Sequence, residues 1–329
     1  MGRTKKWEYI LLFILIVTIG GVFWIAKNGE KVRDFYTLLT YKPPQTIVNL
    51  ANQDTMTSYG KELFYVNKPE LLSKKAFSSQ CPNTLEEDYV IGCYHVNDNG
   101  IYLLNVLDAN LKGIVPVTAA YEMLHAGYAR IPLAQRNLLN QQMWTFYLKD
   151  VKSLAIKQQM NSYLATEPGE QYDELFSVLG TEVKYLPSNI ASVYKQYFKD
   201  RNKIVGLYNT YQAAFTSRQQ KINYDKTNLE QLKIAINSSE NQLNQTLIKI
   251  NSLKTQINNS QQNLDRTSMS NQINAYNNLV NVYNNLLISI KANIAKYNTL
   301  VNNLNSLVLQ EQQLIKAINA NNITSPINK

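Results

Sequence analysis

The chain has 329 residues and only two histidines, one of which closes the stretch Tyr121-Glu122-Met123-Leu124-His125. On a helix, positions i and i+4 share a face, so Tyr121 and His125 point the same way with Glu122 alongside. A histidine at 121 would complete H-E-x-x-H, in which two imidazoles one turn apart hold zinc and the glutamate takes a proton from metal-bound water. Tyr121 is a poor first ligand, because a phenol with an ordinary pKa of about 10 must lose its proton before it can bind a metal. The same spacing also reads as plain core. Val117, Tyr121, Leu124 and Tyr128 make an apolar stripe, in which His125 would be hydrogen-bonded and Glu122 solvated.

The elements that must position these residues are a short sheet and several helices. "KELFYV" reads as a strand, stopped by Asn67-Lys68-Pro69; "DYVIGCYHV" and "GIYLLNVL" are β-rich runs around Asn97-Asp98-Asn99-Gly100, a hairpin signal. Pro116 suits the first turn of the helix that carries the motif, and Pro132 marks its end. From there to about residue 215 the pattern is helical: one or two helices over 132–164, one ending near Gly180, and a restart at Pro187. The expected class is α+β.

Two flanking regions differ in kind. Tyr9 to Ala26 is a run of 18 uncharged residues with Trp7 and Trp24 at its ends, about 27 Å as a helix, which reads as a membrane anchor rather than a cleaved signal peptide. Arg3, Lys5 and Lys6 before it place the N-terminus in the cytoplasm. The expected organisation is therefore a cytoplasmic tail (1–8), a transmembrane anchor (9–26), a juxtamembrane linker (27–59), an α+β domain (60–215), a coiled-coil hairpin (216–320) and a disordered tail (321–329). Its localisation would be a bacterial plasma membrane, single-pass, with the later domains extracytoplasmic. Such a compartment permits Cys81 and Cys93 to pair, the alternative being two reduced buried thiols.

Between Gly206 and Pro326 there is neither glycine nor proline. Ile222, Leu229, Ile236, Leu243, Ile250, Ile257 and Leu264 form one heptad series, and Ile273, Val280, Leu287, Ile294, Val301, Val308 and Ile315 a second. A partial seam at Tyr276, Tyr283, Ile290, Tyr297 and Leu304 accompanies the second. The polar break at 265–271 suggests an antiparallel hairpin with arms of about 70 Å, the alternative being one long helix that oligomerises in parallel; either is a surface for self-association or a protein partner. The net charge of +9 comes from scattered lysines with no basic stripe, so nucleic acid is not an expected partner. P-loop, G-x-S-x-G and Cys-x-x-Cys signatures are absent.

"VTAAYEMLHAGYARI" resembles the active helix of zincin-like metallopeptidases, most closely a set of bacterial membrane-anchored proteins whose helix looks like "HEMLHAAYARL". The likeness extends to "ELFYVNKPELL", "IGCYHV", "ELFSVLGTEVKYLP" and "YKQYFKDRNKIV", covering about residues 60 to 215. It implies that His125 is the second histidine ligand, Glu122 the general base and Glu182 the third ligand, with Glu174 a weaker alternative and Tyr128 an oxyanion donor beside the site. Tyr121 stands where the first ligand should be, and His95, the other histidine, sits on the sheet. Zinc would be held weakly. The expected function is a degenerate peptidase domain acting as a binding or scaffold module with a coiled interaction arm; the alternatives are an active peptidase on envelope proteins and a structural tether.

Overall fold

The computed structural model describes residues 3–82, 90–96, 100–166, 169–260 and 266–320. The expected hairpin turn at 97–99, most of the loop before residue 90, the start of the 265–271 break and the tail from 321 lie outside them. Helices dominate: α1 (Arg3–Thr40), α2 (Gln45–Gln53), α3 (Ser58–Val66), α4 (Lys74–Gln80), α5 (Ile114–Ala129), α6 (Leu133–Asp150), α7 (Leu154–Thr166), α8 (Gln171–Thr181), α9 (Ser188–Tyr194), α10 (Arg201–Ser260) and α11 (Arg266–Ile318). The strands are β1 (Glu70–Leu72), β2 (Gly92–His95) and β3 (Gly100–Leu104). The chain divides into two units, residues 1–212 with 315–329, and residues 213–314.

The expected α+β class with a membrane-spanning N-terminus does not hold. Three strands of three to five residues are too small to cover a core, so helices supply it. "KELFYV" belongs to α3, because the Thr57 side chain caps Gly60 N–H and Leu63, Phe64 and Val66 are buried. Capping and packing override the β-preference of Phe, Tyr and Val. The strand comes one step later, at Glu70.

Among the described residues no helix is long and apolar enough to cross a membrane. That finding overturns the single-pass anchor at 9–26 and the localisation built on it. The run includes Thr18, Gly20 and Gly21, and leads through a kink at Asn28 into charged helix within the same α1, so it is not a separate apolar element. The stretch expected as a linker is ordered as helix. Glu30 and Asp34 hold Arg130, at 3.1 and 3.4 Å, and α2 buries Ile47, Leu50 and Ala51.

The sheet has order β1-β3-β2, with β1 parallel and β2 antiparallel to β3, in register Leu71↔Leu103 and Cys93↔Tyr102. Alternation along β2 sends Cys93 to a small cluster with Phe77, Cys81 and Leu104, and Tyr94 to the main core. Cys81 and Cys93 form a disulfide. That core centres on α5, whose Ala119, Ala120, Met123, Leu124 and Ala126 are fully buried, packed against Leu175, Phe176, Val178 and Leu179 of α8.

In the second unit, Leu232 and Ala235 of α10 line a groove with Thr299 and Leu300 of α11, so the middles of the two helices lie side by side. The covered stripe on α10 includes Ile222, Leu229, Ile236, Leu243 and Ile250, with Ser239 and Thr246 in the same seam. On α11 both series are mostly half-covered; Ile290 of the tyrosine-bearing one is buried, while Ile273 and Ile294 of the other are exposed.

Candidate functional site

Gly113, at φ +104, starts α5; a side chain there would be strained in this left-handed conformation and would press on Leu207. The helix then carries Thr118, Tyr121, Glu122 and His125 into a cavity of about 480 Å³. β2 forms one wall, α8 and α7 the others. β2 approaches α5 closely because residue 92 is glycine. A Cβ there would come within 2.4 Å of Thr118 Cγ2 and 2.6 Å of Glu122 Oε1.

Tyr121 and His125 lie on one face, their rings edge to face at 5.1 Å. Both turn to the first turn of α8. Tyr121 Oη donates to Glu174 Oε2 at 2.5 Å and lies 3.3 Å from Tyr163 Oη of α7. His125 Nδ1 is 2.9 Å from Asp173 Oδ1, and Nε2 is 3.7 Å from Glu174 Oε1. Glu174 thus links Tyr121 and His125. Burial alone would lower the His125 pKa, but the Asp173 and Glu174 charges, the bond to Asp173 and the Glu122 charge outweigh it, holding the pKa well above the usual histidine value. Tyr121 is pushed well above an ordinary phenol by burial and by Glu174.

Glu182, at the end of α8, occupies the same cavity further along. Its Oε1 accepts from Gln159 Nε2 at 3.3 Å, Oε2 is closed off from solvent, and the Tyr208 hydroxyl interacts with the same carboxylate. Burial pushes Glu182 up to about 7; Gln159 and Tyr208 oppose the rise and the Glu174 charge adds to it. Tyr128 is elsewhere: its hydroxyl donates to Asn140 Oδ1 at 2.9 Å, and Arg136 lies over its ring. His95 faces Cys93 and Tyr102, away from the cavity.

Of the residues expected from sequence, Tyr121, Glu122, His125 and Glu182 meet in one cavity, while Tyr128 and His95 do not. Glu174, ranked below Glu182, is the acid that touches both Tyr121 and His125. Asp173, Tyr163 and Gln159 were not anticipated. A signal existed for the last two, which stand four apart on α7 and so share a face; Asp173 is simply the neighbour of Glu174 in the first turn of α8.

The donor set is a poor one for zinc, which binds neutral imidazole and deprotonated ligands. Tyr121 donates its proton to Glu174, and the carboxylates around His125 favour the protonated imidazole, so both residues would have to give up a proton to hold zinc. Among the described residues no group of three or more His, Cys, Asp or Glu is placed to hold a metal ion. No protein-family model matches the chain, and no curated protein or solved structure matches it. The likeness to zincin-like peptidases therefore rests on the residues quoted above.

Proposed function

We propose that the first unit is a degenerate relative of the zincin-like peptidases that now serves as a binding or scaffold module, with the long helical pair as a coiled-coil interaction arm. The observation that carries this reading is the bond from Tyr121 to Glu174. The residue in place of the first histidine spends its proton on Glu174, the weaker of the two candidates for third ligand, so two would-be ligands satisfy each other. Glu122 keeps its place in the cavity beside β2, which supports descent from a hydrolytic site. A wall of edge strand and a cavity of this size suit a short segment of chain or a small molecule.

Zinc retention after dialysis, with casein cleavage as a second readout, tests this. The native protein should lose zinc and leave casein intact. Tyr121→His should create zinc binding where there was none, because it restores an imidazole and frees Glu174. Native protein that kept one zinc per chain and cleaved casein in a Glu122-dependent way would instead be a working peptidase.

A further inference from the structure

The disulfide between Cys81 and Cys93 sits outside the main core. Its cluster is small: Phe77, Cys81 and Leu104 are buried, with Cys93 and Ala320 among the half-covered residues packed on them. None of these five belongs to the core around α5 and α8. The element this cluster holds is α4. Its seven residues make about two turns, too few to persist as a helix without tertiary support, and Phe77 is the one side chain it buries. Cys81 follows as its C-cap and is bonded across to β2. The Phe77 ring and the disulfide are therefore its side-chain anchors. In turn, α4 caps α11, whose residues from Ile315 on belong to the first unit. The last four carbonyls of a helix have no partner within it. Lys74 Nζ donates to one of them, Lys316 O, and Ser78 Oγ donates to Ala320 O at 2.8 Å, with Lys74 O at 3.0 Å as a competing acceptor. His95 completes the arrangement, its Nε2 lying 3.4 Å from Cys93 Sγ. An imidazole N–H there stabilises the thiolate that reduction leaves, and a stabilised reduced form makes a disulfide easier to open.

We propose that Cys81–Cys93 is a redox latch. While it is closed, α4 stays folded and holds the C-terminal end of α11 on the first unit; a dithiol reductant opens it and lets that end go, with the main core intact. In the opening step a thiolate of the reductant attacks one cystine sulfur, the S–S bond breaks and the other sulfur leaves. The second thiolate of the reductant then displaces the first sulfur, and the reductant ends as a cyclic disulfide. Two electrons pass from the dithiol to the cystine, and the two protons of the dithiol end on Cys81 and Cys93, with His95 donating to Cys93 Sγ. The selectivity follows from the packing: the half-cystines and Ala320 share the small cluster, while α5 and α8 keep a core that contains neither sulfur.

Hydrogen exchange read by mass spectrometry on the full chain, with and without dithiothreitol, tests the latch, and thiol labelling of the folded protein reports whether the disulfide has opened. Reduction should speed amide exchange about tenfold or more over α4 and over residues 315–320, at times when α5 and α8 still hold their protons. Cys81→Ser with Cys93→Ser should show the fast exchange without reductant and no response to it. Ser78→Ala, with the disulfide intact, should speed exchange over 315–320 while α4 stays slow. His95→Ala should raise the ratio of reduced to oxidised dithiothreitol at half-reduction about threefold or more, because the reduced form loses its donor. Equal exchange over 315–320 in the oxidised and reduced chain overturns the latch, as does a disulfide that dithiothreitol leaves closed in the folded protein. Loss of protection in α5 and α8 together with 315–320 also overturns it, since the disulfide would then be a general staple of the fold. An unmoved half-reduction point in His95→Ala strikes His95 from it.

Discussion

At the scale of single residues, three buried groups tie stability to pH in the same direction. Burial raises Glu182 from the ordinary 4.5 to about 7 on folding, so between those values the native state holds a proton that the unfolded chain releases. By linkage, stability is then lost as pH rises through that window, by about 3 kcal/mol for a shift of this size. Asp54 adds to it: it is fully buried at the end of α2, both carboxylate oxygens lack partners, and burial raises its pKa well above the usual value. The raised His125 contributes stability that is present below the unfolded histidine pKa and lost as pH rises through the folded one. Urea unfolding should therefore show the protein less stable at pH 8 than at pH 5. Asp54→Asn, which removes the charge at constant size, should recover about 1–3 kcal/mol at the higher pH and less at the lower. A flat profile in the native protein would mean that these groups find donors in solution. None of this was legible in the sequence. Glu122 and His125 advertised themselves by spacing, but Asp54 looks like any loop acid, and Glu174 outranks Glu182 only because the first turn of α8 faces Tyr121 and His125.

At the scale of elements, the site depends on how closely β2 approaches α5. Gly92→Val would drive a side chain into Thr118 and Glu122, so the strand must move outward. We expect a cost of about 1–3 kcal/mol in unfolding free energy, typical of overpacking; an unchanged stability would show that β2 yields freely. The disulfide anchors the far face of the same strand by linking Cys93 to Cys81 after α4, a sequence separation of 12. In the chain-entropy account, closing so short a loop is worth about 3 kcal/mol. Cys81→Ala with Cys93→Ala should cost about that much, measured by denaturant midpoint against the oxidised native protein. Elements with strong punctuation were readable beforehand: Pro132 and Pro187 precede α6 and α9, and Gly100 opens β3. "KELFYV" misled because its β-prone side chains are buried by a helix that Thr57 caps. Local propensity is weak against a cap and a core contact.

At the scale of the whole molecule, the two units have different kinds of interior. The first has a dense core around α5 and α8, with residues such as Leu124 and Phe176 wholly buried. The second is a single seam between two long helices, mostly half-covered, with polar Asp225 and Thr246 buried in it and Ile288 and Leu309 left 67% and 59% exposed. The heptad rhythm of α10 could be read directly. On α11 the two apolar series run three residues apart, as the sequence lays them out, but of the two only Ile290 is buried, most of both are half-covered, and Ile273 and Ile294 are exposed. Because the cores are separate, calorimetry of the full chain should resolve two transitions rather than one. Leu124→Ala should lower only the transition of the first unit, by about 2–5 kcal/mol for a fully buried leucine. Ile290→Asn, at a 7% exposed seam position, should lower only the other, whereas Ile288→Asn two residues away should move neither by more than about 0.5 kcal/mol. If Ile288→Asn destabilised the arm as much as Ile290→Asn, the exposed face of α11 would be covered in solution. The native chain would then associate through the face that bears Ile288, and the same variant should fall to monomer by sedimentation.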